Sequence, residues 1–293
     1  MIEHDYVDLD GVRLHVARQG DGDLMLFAHG FPEFWYAWKN QLEEFGRDHL
    51  AIAPDMRGYN LSSKPDKVED YVVANIVGDI AGLARHFGQE RFILVAHDWG
   101  GVAAWAFAMT HPEMLKRLVI VNAPHPGTFL REVATNPAQI EASQYMRFFR
   151  TPDAEAALSQ NGFSVLWERV FATAEKSGVM NQDDKAAYIE AWSQPGALTG
   201  GLNWYRASSF DIPEASKGTV PVPAFDKDSF KVTVPTLVIW GEKDTALLPS
   251  LLDGLDEYVP DLTVRRIPDG SHWVIHEHPD QVNRYIREFI VGA

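Results

Sequence analysis

The sequence predicts an α/β protein, with a mostly parallel central sheet flanked by helices and one long helical insert. Short apolar runs without polar breaks are typical of strands buried on both faces of a sheet, and they occur at residues 24–28, 92–96, 118–122 and 236–241. Helical patterns separate the earlier runs, as expected when crossover helices join parallel strands. Residues 129–227 contain helical patterns but no buried strand, so we expect them to interrupt the sheet.

This pattern also predicts the domain organisation. We expect an α/β core formed by residues 1–128 and 228–293, and a helical cap, or lid, formed by residues 129–227. A chain of 293 residues is long enough for one large domain with a smaller insert.

The N-terminal part of the core begins with a predicted hairpin. Residues 3–18 alternate between polar and apolar around Asp10-Gly11, which indicates two antiparallel strands joined by a tight turn. The next predicted elements are, in order, a strand at 24–28, a helical pattern near 35–42, a strand at 49–54 and a helix over 72–87.

A buried helix follows almost directly after the strand at residues 92–96. Between them Asp98 stands at the tip of a turn, with the small residues Ala96 and Gly100 two positions before and after it. A larger side chain would clash in so sharp a corner, so Asp98 is predicted to be forced outward in a strained conformation. This position is typical of a nucleophile. The alternative interpretation is that Asp98 only caps the helix.

The remaining core elements follow the same logic. They are predicted as a strand at 118–122, then, after the insert and a Pro/Gly-rich connector at 213–223, a strand at 236–241, a helix near 249–258, a strand near 262–267 and a terminal helix near 280–291.

Composition excludes several classes of protein. The net charge of −15 argues against a nucleic-acid partner, because phosphate binding needs a basic surface. The chain has no cysteine, so disulfides and thiolate metal sites are impossible. No apolar run approaches the ~20 residues that a membrane span requires, and the N-terminus lacks an export signal. We therefore expect a cytoplasmic protein. The sequence does not distinguish a monomer from a homo-oligomer.

Polar residues just past the strand ends predict an active site, because ligands of open parallel sheets bind at that edge. Asp98, Asp244 and His272 occur in the chain order nucleophile, acid, base. A carboxylate nucleophile can attack saturated carbon and form an alkyl ester, whereas a serine would perform acyl transfer. His272 would then activate a water that hydrolyses the ester, and Asp244 would orient the imidazole. Asn122 also ends a strand, but an amide cannot supply the acid's charge.

Hydrolysis of such an ester passes through an oxyanion that needs fixed backbone donors. The N–H groups of Trp99, directly after the nucleophile, and of Phe31, just past an earlier strand, are the predicted pair. His276 and His278 lie where the chain re-enters a helix, and they are interpreted as structural residues.

Five stretches of the core also resemble the epoxide hydrolases of the α/β-hydrolase superfamily. They are HGFPEFWYAW at 29–38, DMRGY at 55–59, AHDWGG at 96–101, WGEKD at 240–244 and GSHW at 270–273. The insert resembles the cap of these enzymes at two places. Tyr145 fits a Tyr-x-x-x-Phe pattern, and Tyr205 lies in Asn-Trp-Tyr-Arg. The resemblance implies that both phenols donate hydrogen bonds to the epoxide oxygen.

The resemblance therefore implies an α/β-hydrolase fold and an enzyme that hydrolyses an ether bond, converting an epoxide and water into a vicinal diol through an ester on Asp98. It implies neither a metal nor a cofactor. Substrate contacts are expected from residues in or beside these motifs, namely His29, Pro32, Trp35, Phe148, Trp204 and Trp273.

Two alternatives stay open. A haloalkane or haloacid dehalogenase would use the same Asp98 nucleophile. Haloalkane dehalogenases usually hold the halide with an Asn where this chain has Phe31, and fluoroacetate dehalogenases carry an Arg where it has Trp99. A non-catalytic ligand-binding protein on the same fold is the other alternative, although every member of the predicted triad is present.

Overall fold

The computed structural model describes residues 1–291. Its central sheet consists of β1 (Glu3–Leu9), β2 (Val12–Gln19), β3 (Leu24–Ala28), β4 (Leu50–Pro54), β5 (Phe92–His97), β6 (Leu115–Val121), β7 (Thr236–Gly241) and β8 (Leu262–Ile267). The spatial order is β1-β2-β4-β3-β5-β6-β7-β8. β1 and β2 form the predicted hairpin, β2 also pairs antiparallel with β4, and the remaining pairs are parallel. The predicted fold class is confirmed.

Helices cover both faces of the sheet, which explains the unbroken apolar runs. Along β5, Ile93 and Val95 pack in one apolar cluster with α1 (Lys39–Phe45) and the terminal helix (Pro279–Val291). Leu94 and Ala96 pack in another with α2 (Val73–His86) and α3 (Asp98–Thr110). Because successive strand residues point to opposite faces, both sets must be apolar.

The chain between β6 and β7 is helical, and we call residues 126–230 the helical insert. It contains α4 (Pro126–Thr135), α5 (Pro137–Ala142), α6 (Gln144–Phe149), α7 (Ala154–Leu158), α8 (Gln160–Ser177), α9 (Gln182–Ser193) and α10 (Ala197–Ala207), followed by two short 3-10 turns. The two ends of the insert meet, because His125 Nε2 donates to the carbonyl oxygen of Phe230 at 2.9 Å. Across residues 1–291, no helix combines the length and the apolar character that crossing a lipid bilayer requires.

One predicted helix is wrong. In place of a helix near 249–258, the chain forms two 3-10 turns, Pro249–Leu252 and Leu255–Glu257. Gly254 separates them with a φ of 70°, a left-handed conformation that an α-helix does not accommodate. After β8, α12 (Pro279–Val291) confirms the predicted terminal helix, and a short helix that was not predicted, α11 (Val274–Glu277), precedes it.

Candidate active site

Asp98 lies at the tight turn between β5 and α3, with a φ of 50°. A non-glycine residue in this region is strained, so the surrounding packing must hold it there. The packing is very close. A Cβ on Gly100 would lie 2.4 Å from the carbonyl oxygen of Ala28, and one on Gly30 would lie 2.1 Å from Asp98 Oδ1. Only glycine at these positions lets α3 and the loop after β3 close around the carboxylate.

His272 and Asp244 reach the same edge of the sheet from the loops after β8 and β7. His272 Nδ1 donates to Asp244 Oδ2 at 2.7 Å, and His272 Nε2 lies 3.6 Å from Asp98 Oδ2. The structure therefore brings the three predicted triad residues together, with the imidazole between the two carboxylates.

Asp244 is fixed by further donors. Its Oδ1 accepts from the N–H groups of Ala246 at 2.9 Å and Leu247 at 2.8 Å, and Asn122 Nδ2 donates to Oδ2 at 2.8 Å. Burial would raise the pKa of Asp244, but His272 and these donors outweigh it and hold that pKa below its ordinary value. Asn122 thus serves the acid as a hydrogen-bond donor.

The two carboxylates beside His272 favour the cationic form of its imidazole. Burial would lower the pKa of His272, but the charges of Asp244 and Asp98 and their hydrogen bonds outweigh it and raise the pKa to about 10. Loss of the charge on Asp98 would remove part of this stabilisation, so alkylation of Asp98 would lower the pKa of the imidazole.

The two predicted oxyanion donors lie beside Asp98. The Phe31 N–H donates to Asp98 Oδ1 at 2.7 Å. Trp99 lies in the first turn of α3, where helix N–H groups have no partner within the helix. The two residues predicted to form an oxyanion hole therefore flank the carboxylate.

Tyr145 on α6 and Tyr205 on α10 line the same cavities as Asp98. Their ring centroids are 6.2 Å apart, and the Tyr205 ring also packs edge-on against Trp99 at 5.0 Å. Burial, followed by the charge of Asp98, raises the pKa of both phenols above the ordinary value. Both are therefore neutral at physiological pH and able to donate a proton.

A cavity of about 330 Å³ opens beside Asp98, and its lining includes Phe31, Pro32, Phe149, His272, Trp273 and both tyrosines. Among the predicted substrate contacts, Pro32 and Trp273 thus face this space. Trp204 instead lines a neighbouring apolar cavity of about 430 Å³, together with Trp99.

The structure does not place His29, Trp35 or Phe148 in the lining of these cavities. His29 is fully buried. Its Nδ1 donates to the carbonyl oxygen of Gly30 and its Nε2 accepts from the Met56 N–H, so it joins the loop after β3 to the loop after β4. The Trp35 ring packs against His4 at 4.9 Å, outside the site. Phe148 points toward Arg169. Its neighbour Phe149, on the inner face of α6, takes the predicted place in the cavity.

Sequence reasoning missed one buried cluster, formed by Glu33, His97 and His276. Glu33 Oε2 accepts from His97 Nδ1 at 3.0 Å, and Glu33 Oε1 accepts from His276 Nε2 at 2.5 Å. The only available signal was the position of Glu33 and His97 inside two of the motifs. No cluster of three or more His, Cys, Asp or Glu side chains in residues 1–291 is arranged to hold a metal ion.

Comparisons with known proteins identify the family of the chain. A family model described as the alpha/beta hydrolase fold matches residues 23–279. The AB hydrolase superfamily protein YfhM of Bacillus subtilis is 39% identical over 97% of this chain and 96% of its own length. Epoxide hydrolase 3 of Xenopus tropicalis is 37% identical over 98% of this chain and 78% of its own.

Solved structures of epoxide hydrolases also superpose on this chain. The crystal structure of the Bacillus megaterium epoxide hydrolase in complex with an inhibitor superposes with a TM-score of 0.90 at 37% identity, covering 98% of this chain and 99% of that one. A Vigna radiata epoxide hydrolase superposes with a TM-score of 0.80 at 27% identity, covering 100% of this chain and 98% of that one.

Proposed function

Since this chain belongs to the epoxide hydrolases of the α/β-hydrolase family, we propose that it hydrates an epoxide to a vicinal diol through an ester on Asp98. The observation that carries the proposal is the arrangement around Asp98. The backbone of Asp98 is strained, and two neutral phenols line the cavity beside its carboxylate. His272 Nε2 lies 3.6 Å from Asp98 Oδ2.

In the first half-reaction, Asp98 attacks an epoxide carbon. The Phe31 N–H holds Oδ1, so Oδ2 is the oxygen free to form the new bond. As the carbon–oxygen bond of the ring breaks, its electron pair stays on the epoxide oxygen, which takes a proton from Tyr145 or Tyr205. The phenols stabilise charge that exists only during ring opening, so they favour the transition state over the bound substrate.

In the second half-reaction, the cationic imidazole of His272 first returns a proton to the phenolate. The neutral ring then takes a proton from water, and the resulting hydroxide bonds to the ester carbonyl carbon. The Phe31 and Trp99 N–H groups stabilise the tetrahedral oxyanion. When the intermediate collapses, the bond to the diol oxygen breaks and that oxygen takes the proton from His272. The carboxylic acid left at Asp98 then gives its proton to the neutral imidazole, which restores the resting carboxylate and imidazolium. Esterification removes the charge of Asp98, and the lowered pKa of His272 then suits the imidazole to act as a base.

We further propose that the helical insert acts as a cap over this site. Both phenols come from α6 and α10 of the insert, whereas Asp98, Asp244 and His272 follow strands of the core. The proposed reaction therefore needs both parts of the molecule, with the cap supplying the acids and part of the apolar wall.

The test is covalent trapping. The His272→Gln variant should still be alkylated, because Asp98 needs no base, but hydrolysis should stall. After incubation with an epoxide such as styrene oxide, intact-protein mass spectrometry should show a mass increase of one substrate. Asp98→Asn should show neither adduct nor initial turnover. A His272→Gln protein that consumes epoxide without gaining mass would contradict the ester mechanism.

The same assay addresses the dehalogenase alternative. Wild-type protein incubated with haloalkanes and haloacids should release little halide relative to the diol formed from matched epoxides. Halide release without epoxide turnover would replace the proposed activity with that alternative.

A further inference from the structure

Arg150 is a partly buried cation that the proposed reaction does not use. It directly follows α6, the short helix that carries Tyr145. Within residues 1–291, each hydrogen bond that its guanidinium donates ends on a backbone carbonyl oxygen, and none ends on a carboxylate. Withdrawing a charge from water without an anionic partner is costly, so these contacts need an explanation.

The three carbonyl oxygens belong to the end of α10 and the chain just beyond it. Arg150 Nε donates to the carbonyl oxygen of Tyr205 at 2.8 Å, and its Nη2 donates to those of Ser208 at 3.2 Å and Phe210 at 2.6 Å. The Ser208 N–H also donates to the Tyr205 carbonyl, but at a longer 3.3 Å. The last carbonyl groups of a helix lack partners within the helix and carry partial negative charge, so a cation is favourable there. Arg150 thus satisfies carbonyl groups that the end of α10 leaves open.

This end of α10 carries one of the two proposed acids. Tyr205 lies in the last turn of α10, and Arg150 binds the backbone of that same residue. Phe210, the last of the three acceptors along the chain, shares the lining of a cavity with Asp98, Tyr145 and Tyr205. A shift of this end of α10 would therefore move both an acid and part of the cavity wall.

Phe149, the residue before Arg150, contacts both phenols. Its ring packs edge-on against Tyr145, with the centroids 5.4 Å apart, and against Tyr205, with the centroids 5.0 Å apart. The rings fill the space between α6 and α10, whereas charged hydrogen bonds fix direction as well as distance. Two consecutive residues therefore set the spacing of the phenols, Phe149 through its ring and Arg150 through the backbone of α10.

This spacing matters in the first half-reaction, because a phenol must reach the epoxide oxygen while Asp98 reaches the carbon. Displacing a reacting group by about 1 Å can reduce a rate by roughly 10²-fold. Ester hydrolysis depends instead on His272 and Asp244, which belong to the core. In the part of the chain that the structure describes, no hydrogen bond of Arg150 reaches either residue.

We propose that Arg150 is a positioning residue for ester formation. By binding the C-terminal end of α10 to the end of α6, it holds the hydroxyl of Tyr205 where the epoxide oxygen develops its charge. This inference rests on the proposed two-step reaction. Arg150 does not line the cavities that contain Asp98, so it acts through Tyr205, and its effect falls on the first half-reaction and not on the second.

The test separates the two half-reactions in single turnovers with styrene oxide, followed by rapid quench and mass spectrometry. Arg150→Met keeps a side chain of similar shape but removes every donor. It should slow ester formation by roughly 10- to 100-fold while ester hydrolysis stays close to the wild-type rate. An equal loss of both rates, or no change in either, would overturn the proposal.

The matched control is Arg131→Met. Arg131 lies on α4 and also binds backbone carbonyl oxygens, those of Asp253 at 2.7 Å and Ser250 at 3.2 Å, away from the phenols. Its loss should leave the ratio of the two rates unchanged. A ratio lowered as much as in Arg150→Met would contradict a specific role for Arg150.

A second readout distinguishes positioning of Tyr205 from a general loosening of the insert. In Tyr145→Phe, where Tyr205 is the remaining acid, Arg150→Met should slow ester formation by at least the full factor. In Tyr205→Phe, α10 has no hydroxyl to position, so the same change should cost much less. Equal losses in the two backgrounds would also reject the proposal.

If Arg150→Met does not fold, Arg150→Lys offers the same test. It keeps a cation near the end of α10 but has one nitrogen in place of the two that bind the three carbonyl oxygens. It too should slow ester formation selectively, and an unchanged ratio of rates would overturn the inference. The outcomes remain distinguishable from failure of the proposed function. Absence of an adduct in His272→Gln rejects the ester mechanism, whereas an adduct there with an unchanged ratio in Arg150→Met rejects only the role of Arg150.

Discussion

In the proposed reaction, Asp98 keeps its charge only until the substrate is attached, and its neighbours respond to that change. The carboxylate accepts a hydrogen bond from Phe31 and stabilises the cation of His272. Once the ester forms, the imidazole loses one of its two anionic neighbours and becomes able to take a proton from water. In the proposed reaction, the same carboxylate group therefore acts as the nucleophile and controls when the base becomes active.

The first prediction concerns the two phenols. Changing both Tyr145 and Tyr205 to Phe should nearly abolish ester formation, because the opening epoxide then has no proton donor. Either single change should cost roughly 10²-fold or less, since each phenol can partly replace the other. Pre-steady-state alkylation with an epoxide measures this. Tyr285→Phe, on α12 away from the site, is the matched control. Wild-type alkylation in the double variant would remove the tyrosines from the mechanism.

The second prediction concerns pH. The pKa of His272 is raised to about 10 in the folded protein, whereas in the unfolded chain it is near 6.5. Between these values only the folded state holds the proton, so the stability this residue contributes is complete below the unfolded pKa and is lost as pH rises through the folded pKa. The free energy of unfolding should therefore fall with pH by up to about 1.4 kcal/mol per unit in this window. Urea unfolding at several pH values, compared with His272→Gln, measures the difference in slope, and parallel curves would contradict it.

At the scale of elements, the turn between β5 and α3 depends on close approach to β3. The third prediction compares two glycines. Gly100→Ala places a Cβ 2.4 Å from backbone of β3, which cannot move independently, so we expect a loss of about 1–3 kcal/mol in stability and a displaced Asp98. Gly78→Ala, on the exposed side of α2 with no atom within 4 Å of the added methyl, should stabilise by about 0.5–1 kcal/mol. Denaturant unfolding of both variants measures this, and equal effects would refute the steric argument.

The elements that local pattern determines were predicted, and those that depend on distant contacts were not. β5 and β7 are apolar on both faces, so their runs identify them from sequence alone. The turns around Gly254 depend on one backbone angle that no periodicity reveals. Likewise, Glu33 and His276 are 243 residues apart in the chain, and only the fold brings them into contact. Short motifs indicated which residues lie near Asp98, but His29 and Phe148 show that a motif does not determine which way a side chain points.

At the scale of the whole molecule, polar contacts join the insert to the core near the site. Asp184 on α9 pairs with Lys39 and accepts from the Tyr36 hydroxyl at 2.9 Å, and Trp192 Nε1 donates to the carbonyl oxygen of Pro32 at 2.6 Å. Trp192 therefore binds the same loop that presents Phe31 to Asp98. This contact links the position of the insert to the loop that carries Phe31, one of the two proposed oxyanion donors.

The fourth prediction tests this attachment. Lys39→Gln removes the cation beside the buried Asp184 and should lower the free energy of unfolding by about 1 kcal/mol, with faster amide exchange in α9. Lys231→Gln removes one member of an exposed pair with Asp228, which water and salt screen, and should leave the free energy of unfolding essentially unchanged. Urea unfolding measures the free energy of unfolding of both variants, and hydrogen exchange followed by mass spectrometry measures the exchange rates in α9. Unchanged exchange in α9 after Lys39→Gln would show that the ion pair does not hold the insert.

The bond between His125 and Phe230 has a consequence for how such enzymes can be varied. Because the two ends of the insert are adjacent, a segment of different length with similarly spaced ends could replace it, and the entropy of closing a longer loop grows only slowly with length. The core would keep the predicted triad of Asp98, Asp244 and His272. The replacement segment would supply the phenols and much of the cavity wall. Chimaeras joined at His125 and Phe230 should therefore take the substrate range of the protein that supplies the insert, while the nucleophile of the core is unchanged.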